Sequence, residues 1–423
     1  MAKILVNSNG PLHGEVYISG AKNAVLPLMA ATLMTDDTCT IEGVPDLADV
    51  VVMKNMLTHY GASIDDSAPG TLKVTTDTIK SVEGDPAMVQ EMRASIFTMG
   101  PMLARSGKVI MPMPGGCTIG KRPIDLHLKG FKALGATVNE YEDRVEIEAG
   151  PNGLTGDVIY LDFPSVGATE NILMAATLAK GTTIIENAAK EPEIIDLANL
   201  LNKMGAKIKY AGTDLVRIEG VEKLTGCIHE VIPDRIETGT FMLAAAITRG
   251  KIFVKNALPG HVRPIIAKLK ECGVSVEVRD NGILVDATNR ELVATDIKTL
   301  PYPGFPTDIQ SPFMAFLTTV KGRSTVRETV FENRFMHVVE LNRMGADITT
   351  ENSREAVIPG GKQLHGAKVR ATDLRAGAAM VLAGLAATGM TEISEIHHIE
   401  RGYEDFVNKF KSLGADIMKI EGE

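Results

Sequence analysis

A chain of 423 residues is longer than one hydrophobic core normally serves, so two domains of about 200 residues each are expected. Its net charge of −9 at pH 7 and isoelectric point near 5.6 exclude a general nucleic-acid or anionic-membrane binder, which needs a basic surface; any anion site must be a local cluster of cations. Four scattered cysteines, Cys39, Cys117, Cys227 and Cys272, contain no CxxC pair, which suits a reducing compartment and predicts neither a disulfide framework nor a metal cluster.

The first seven residues lack the apolar stretch of a secretory signal, and the apolar run 376–390 is shorter than a bilayer span, so a cytoplasmic protein is expected. In chain order, the segment 23–34 reads as a helix apolar on every side, and an amphipathic stretch then ends at Gly61. The segment 94–104 repeats the apolar helix. After it comes the loop Pro114-Gly115-Gly116-Cys117-Thr118-Ile119-Gly120-Lys121-Arg122-Pro123, whose glycines can take positive φ and turn backbone N–H groups toward a ligand. Lys121 and Arg122 would lower the pKa of a neighbouring thiol and hold a charged substrate beside it, so this loop predicts chemistry on an anion.

The same alternation continues to the C-terminus. An amphipathic helix over 126–134 ends at Gly135. Small apolar residues at 175–179 precede Gly181 and the strand Thr182-Thr183-Ile184-Ile185, and a helix over 196–204 ends at Gly205 before a strand over 206–210. Apolar helices recur around 243–248, 313–320 and 378–388, and amphipathic ones end at Gly273, Gly345 and Gly414. The six junction glycines stand about 70 residues apart, a period that marks a repeat architecture. Each suits a helix C-terminus that needs left-handed backbone. Helices apolar on every face belong inside a core, so each repeat offers one buried helix, one amphipathic helix and several strands, with three repeats to a lobe.

The six apolar helices begin at Lys22-Asn23, Arg93-Ala94-Ser95, Ser165-Val166-Gly167, Glu237-Thr238-Gly239, Thr307-Asp308 and Asp373-Leu374-Arg375. Helix capping explains Ser, Thr, Asp and Asn at such places. It does not explain Lys or Arg, which oppose the helix dipole there and suit an anionic ligand instead.

Taken together, these stretches resemble the UDP-N-acetylglucosamine 1-carboxyvinyltransferases, a family of enolpyruvyl transferases. The resemblance runs through Ser19-Gly20-Ala21-Lys22-Asn23-Ala24, the Cys117 loop, Pro233-Asp234-Arg235-Ile236-Glu237-Thr238-Gly239, Phe305-Pro306-Thr307-Asp308, Phe331-Glu332-Asn333-Arg334-Phe335-Met336-His337, Asp373-Leu374-Arg375 and Arg401-Gly402-Tyr403. It implies an α/β fold, a two-lobed inside-out α/β barrel of six repeated units with threefold pseudo-symmetry in each lobe. One lobe would take residues 22–232 and the other 1–21 with 233–423, the active site lying in the cleft between them. The implied reaction transfers the enolpyruvyl group of phosphoenolpyruvate to the 3-hydroxyl of UDP-N-acetylglucosamine and releases phosphate. No metal or organic cofactor is expected, and no nucleic-acid or membrane partner.

The resemblance also assigns residues. Lys22, Asn23, Arg122, Arg334, Arg375 and Arg401 would hold phosphoenolpyruvate, whose phosphate and carboxylate call for fixed cations. Cys117 would deliver the proton to the methylene carbon and could form a covalent adduct, Asp308 would orient and deprotonate the sugar hydroxyl, and Lys22 would take part in catalysis. Asn23, Asp308 and Val330 would surround the amino sugar. Arg93, Arg122, Pro123, Ile124, Asp125, Leu126, His127, Ser165, Val166 and Gly167 would line the UDP. Ser165 serves equally well as a cap, His127 as a packing residue, and Asp234 and Glu237 read as hinge or helix-start residues. Many members carry lysine where Ala48 and Phe163 stand, and tryptophan where Phe97 stands, changes that leave the catalytic set intact. The sister enzyme acting on shikimate 3-phosphate lacks the cysteine loop and has a Gly-Asn-Ala-Gly-Thr motif that is absent here; a sugar-nucleotide sensor on the same scaffold would not need Lys22, Cys117, Asp308, Arg375 and Arg401 together.

Overall fold

Each sequence repeat folds as one sheet served by two helices. The computed structural model describes residues 2–114 and 123–421, and these form six sheets, five of four strands and one of three. The third repeat shows the plan. Strand Val158–Tyr160 leads through the buried helix Val166–Thr177 to strand Thr182–Glu186, and helix Pro192–Lys203 then leads to a hairpin of Lys207–Lys209 and Leu215–Glu219. Thr182–Glu186 lies parallel to the first strand and antiparallel to the last. In Leu215–Glu219 the burial alternates, with Val216 and Ile218 turned to the core, so the sheet covers the helices with one face and meets solvent with the other.

All six junction glycines adopt the left-handed backbone their positions require, with φ of 112° at Gly61, 86° at Gly135, 104° at Gly205, 92° at Gly273 and 90° at Gly345 and Gly414. A side chain at any of them would strain the turn that sends an amphipathic helix into the strand that follows it.

The described residues fall into two compact units, one of 2–19 with 233–421 and one of 20–114 with 123–232. Each holds three sheets and its own apolar core. In the first unit, helices Arg235–Ile247, Gln310–Thr318 and Leu374–Ala386 pack on one another and are buried apart from terminal residues. In the second, Met99–Ser106 packs on Val166–Thr177, and the 3-10 turn Arg93–Thr98 packs on helix Lys22–Ala31.

Two strands join sheets away from their sequence neighbours. His13–Tyr17 precedes helix Lys22–Ala31 but pairs with Lys251–Lys255, while Ile228–Glu230 precedes helix Arg235–Ile247 but pairs with Cys39–Glu42. The chain also threads Lys3–Asn7 between Thr391–Ser394 and Asp416–Ile420. Where it passes from unit to unit, Asp234 N donates to Ser19 O at 2.9 Å and Ala21 N to Ile232 O at 2.8 Å. The Asp234 carboxylate caps its helix by accepting from Ile236 N and Glu237 N. Buried Glu237 accepts from Ser19 N and from Lys409 Nζ. Among the described residues no helix is long and apolar enough to cross a membrane, and no group of three His, Cys, Asp or Glu could hold a metal ion.

One polar group in this core has a measurable consequence. Glu170, in helix Val166–Thr177, is fully buried and neither carboxyl oxygen has a hydrogen-bond partner. Burial, with the nearby charges of Glu193 and Glu191, pushes its pKa well above the ordinary 4.5. The folded chain therefore keeps a proton that the unfolded chain releases above pH 4.5, so stability falls as pH rises through that value. Glu170→Gln should gain on the parent by up to about 1.4 kcal/mol per pH unit as the pH rises into the neutral range. Urea unfolding at a series of pH values would read this, and a difference independent of pH would show that the folded carboxyl is ionised.

Candidate active site

Asp308 stands on the 3-10 turn Thr307–Ile309 at the start of helix Gln310–Thr318, where two arginines meet it. Arg334 Nη2 lies 2.9 Å from Oδ1, and Arg375 reaches Oδ2 with Nε at 3.2 Å and Nη2 at 3.1 Å. Arg375 is only 2% exposed. Its backbone N–H and that of Ala376 are taken by the capping carboxylate of Asp373, so the helix start fixes where the guanidinium points. The guanidinium lies 5.2 Å from the Tyr403 ring centroid, and the Tyr403 hydroxyl pairs with Thr240 Oγ1 at 2.9 Å. Arg334 stacks in the same manner on Phe331, at 5.3 Å.

Burial pushes the Asp308 carboxyl up, but the charges of Arg375, Arg334 and Arg235 outweigh it and hold the group below the usual carboxylate range. Two guanidinium groups share one carboxylate, which leaves local positive charge, and Arg375 Nη1 is buried with no hydrogen-bond partner. Such a donor can take an anionic oxygen. Arg401 is half-buried two residues before Tyr403. Val330 donates its N–H to Glu328 Oε1 at 2.8 Å, and Glu328 Oε2 accepts from Thr307 Oγ1 at 2.9 Å, so this carboxylate ties the Val330 loop to the turn that carries Asp308.

In the other unit, Lys22 opens its helix without a side-chain cap, 9% exposed, its Nζ 2.8 Å from Asp49 Oδ2. Asn23 is half-buried beside it. His127 is buried in helix Asp125–Ala133 and accepts at Nδ1 from Asn171 Nδ2 at 3.0 Å, while Asn171 Oδ1 accepts from Gly100 N at 2.7 Å. These bonds place the His127 proton on Nε2. A Cβ at Gly167 would lie 3.2 Å from His127 Cε1 and 3.4 Å from Phe97 Cε1, so a larger residue there would crowd the imidazole. Ser165 caps the helix, accepting from Ala168 N at 3.3 Å. Val166 is half-buried and Arg93 half-buried at the start of its turn; Pro123 and Asp125 are exposed, Ile124 buried and Leu126 half-buried. The fold thus gathers Phe97, His127 and the Ser165–Gly167 segment around Asn171. Cys117 and Arg122 lie outside the described residues.

Sequence reasoning passed over Asp49, Asn171 and Glu328. An amide within a helix that has no solvent face was the available signal for Asn171; Asp49 and Glu328 carry no comparable mark.

Residues 6–410 match the family model for EPSP synthase (3-phosphoshikimate 1-carboxyvinyltransferase). The chain is 56% identical over 417 residues to UDP-N-acetylglucosamine 1-carboxyvinyltransferase 1 of Caldanaerobacter subterraneus, with 99% of each chain covered. It is 52% identical to the like-named protein 1 of Staphylococcus aureus, covering 99% of this chain and all of the relative. The chain belongs to the UDP-N-acetylglucosamine 1-carboxyvinyltransferase family. The enolpyruvyl transferase NikO from Streptomyces tendae superposes with a TM-score of 0.89 at 25% identity over 100% of this chain and 99% of its own. EPSP synthase from Acinetobacter baumannii shares the fold at a TM-score of 0.77 and 18% identity, each chain covered completely. The family and these structures establish the enolpyruvyl transferase fold that the resemblance implies, and the sixfold repeat agrees with it.

The arginine pair gives the site a test. Arg375→Leu leaves Asp308 with one close guanidinium, so it should destabilise the chain by about 3 kcal/mol, the lower end for a broken buried pair because Asp308 keeps some exposure. Adding Asp308→Asn should recover part of that loss in a double-mutant cycle followed by urea unfolding. Strictly additive effects would show that the two side chains are held independently.

Proposed function

We propose that this chain transfers the enolpyruvyl group of phosphoenolpyruvate to the 3-hydroxyl of UDP-N-acetylglucosamine, releasing phosphate, as the first committed step of bacterial peptidoglycan synthesis in the cytoplasm. The observation that carries the reading is the full-length identity of 52% to 56% with relatives named for that activity. The cationic surroundings of Asp308 support it, because phosphoenolpyruvate brings a phosphate and a carboxylate that need such partners.

In this mechanism the sugar 3-oxygen forms a bond to C2 of phosphoenolpyruvate while Cys117 gives a proton to C3, producing a tetrahedral intermediate. The C2–O bond to phosphate then breaks and C3 returns a proton. Asp308 orients the attacking hydroxyl and takes its proton. Held by Arg334 and Arg375 it is a weak base, and an anion that draws on the same guanidinium groups weakens their hold, so its basicity rises as substrate binds. Lys22, Asn23, Arg122, Arg334, Arg375 and Arg401 hold the phosphoenolpyruvate. Arg93, Arg122, Pro123 to His127 and Ser165 to Gly167 receive the UDP, and Asn23, Asp308 and Val330 the amino sugar.

The family model's description makes shikimate 3-phosphate the alternative acceptor. Phosphate release from phosphoenolpyruvate should require UDP-N-acetylglucosamine, and equal turnover with shikimate 3-phosphate would sink the assignment. Cys117→Ala should lose most activity, whereas Cys117→Asp keeps an acid of suitable reach and should retain some. The epoxide phosphonate fosfomycin, a mimic of phosphoenolpyruvate, should alkylate Cys117 and spare Cys117→Asp; peptide mass mapping that finds the adduct on Cys39, Cys227 or Cys272 instead would remove Cys117 from this role.

A further inference from the structure

Cys39 opens strand Cys39–Glu42, and Cys227 stands immediately before strand Ile228–Glu230. These strands run parallel with Ile228 opposite Thr40, so one step back along the register sets Cys227 opposite Cys39. Thr40 N donates to Cys227 O at 2.8 Å, which carries the backbone ladder to that pair. Alternation then decides the faces. Ile41 and His229 are buried, two residues on from Cys39 and Cys227, while Ile228 points outward at 63% exposure, so both thiols face the core side of the same sheet. There each thiol acts on the titration of the other.

Their surroundings are unequal. Cys39 is completely buried, whereas Cys227 is half-buried at the rim of the core. Lys203 places its Nζ 3.2 Å from Ile228 O, next along the chain from Cys227. Interaction with the Cys39 thiol and the Lys203 charge favour thiolate at Cys227 against the opposing effect of burial, while interaction with Cys227 and burial keep Cys39 protonated.

We propose that Cys39 and Cys227 form a reversible redox site, a dithiol that a small disulfide oxidant converts into a cross-strand disulfide, with Cys227 as the attacking sulfur and Cys39 as the resolving one. Adjacent strands lie about 4.8 Å apart, inside the roughly 4.4–6.8 Å between Cα atoms that a disulfide bridges. The Cys227 thiolate attacks one sulfur of the small disulfide, forming a mixed disulfide and expelling one thiolate. Cys39 gives up its proton to that thiolate and attacks the Cys227 sulfur, which expels the second thiolate. Two protein thiols are oxidised and one small disulfide is reduced to two thiols. The link ties the strand by which the chain leaves its unit to the sheet of the first repeat. It closes a loop spanning nearly the whole unit, so the oxidised form should be harder to unfold.

The test treats the full chain with excess oxidised glutathione, blocks remaining thiols and maps the peptides. The expected product joins the Cys39 and Cys227 peptides, has lost the mass of two hydrogens at that pair, unfolds at a higher temperature than the reduced chain and reverts with dithiothreitol. Peptide mapping separates this product from any adduct on Cys117. Cys39→Ala should accumulate glutathione on Cys227, and Cys227→Ala should leave Cys39 unmodified. Free thiols at both positions after prolonged oxidation, or a link from either cysteine to a different one, would overturn the proposal, and that result on the parent chain does not depend on how the variants fold.

Discussion

A helix with apolar side chains on every face cannot rest at a surface without exposing one side to water, and each compact unit is arranged around that constraint. Leu374–Ala386 and Gln310–Thr318 are buried along nearly their whole lengths. Enclosing them takes sheets that are apolar on one face only, which is the alternation seen in Leu215–Glu219. Small residues let such helices pack closely, and the left-handed glycines turn each amphipathic helix sharply into the strand that follows it. Because the helices are central, their starts bring polar groups from separate repeats near one another.

The starts of these helices are where charge enters an otherwise apolar interior. Ser165, Asp234 and Asp373 act as caps, whereas the helix at Lys22 and the turns at Arg93 and Thr307 begin without a side-chain cap. Capping in one place fixes a cation in another, since Asp373 holds the backbone from which Arg375 reaches Asp308. A buried guanidinium with an unfilled donor is costly in an apolar setting, and the paired carboxylate offsets that cost. An anion bound by these arginines would compete for the same donors, and in the proposed reaction that would link binding to the basicity of Asp308.

The exchange of His13–Tyr17 and Ile228–Glu230 between neighbouring repeats has a further effect. Each strand completes a sheet in the unit that its following helix does not join, so both passages between units are anchored at once by backbone pairing. Ser19 and Asp234 pair on one side of the passages, Ala21 and Ile232 on the other. Lys409 and Glu237 add a buried ion pair next to Ser19. The same pairing brings Cys227 to Cys39.

The repeat, the burial of the apolar stretches and the left-handed turns at Gly61, Gly135, Gly205, Gly273, Gly345 and Gly414 were legible in the chain alone, because periodicity and glycine chemistry are local properties that neighbouring residues express together; the stretch 94–104, read as one helix, is instead a 3-10 turn Arg93–Thr98 followed by the helix Met99–Ser106. Motifs also marked Asp308, Arg334 and Arg375. That Arg334 and Arg375 both close on Asp308, that Asp49 meets Lys22, and that Asn171 holds His127 emerges only in three dimensions. So do the sheet each exchanged strand enters and the meeting of two scattered cysteines. Those pairings join residues far apart in the chain, and no local pattern encodes which distant partner a strand edge or a buried charge will find once the core has closed around it.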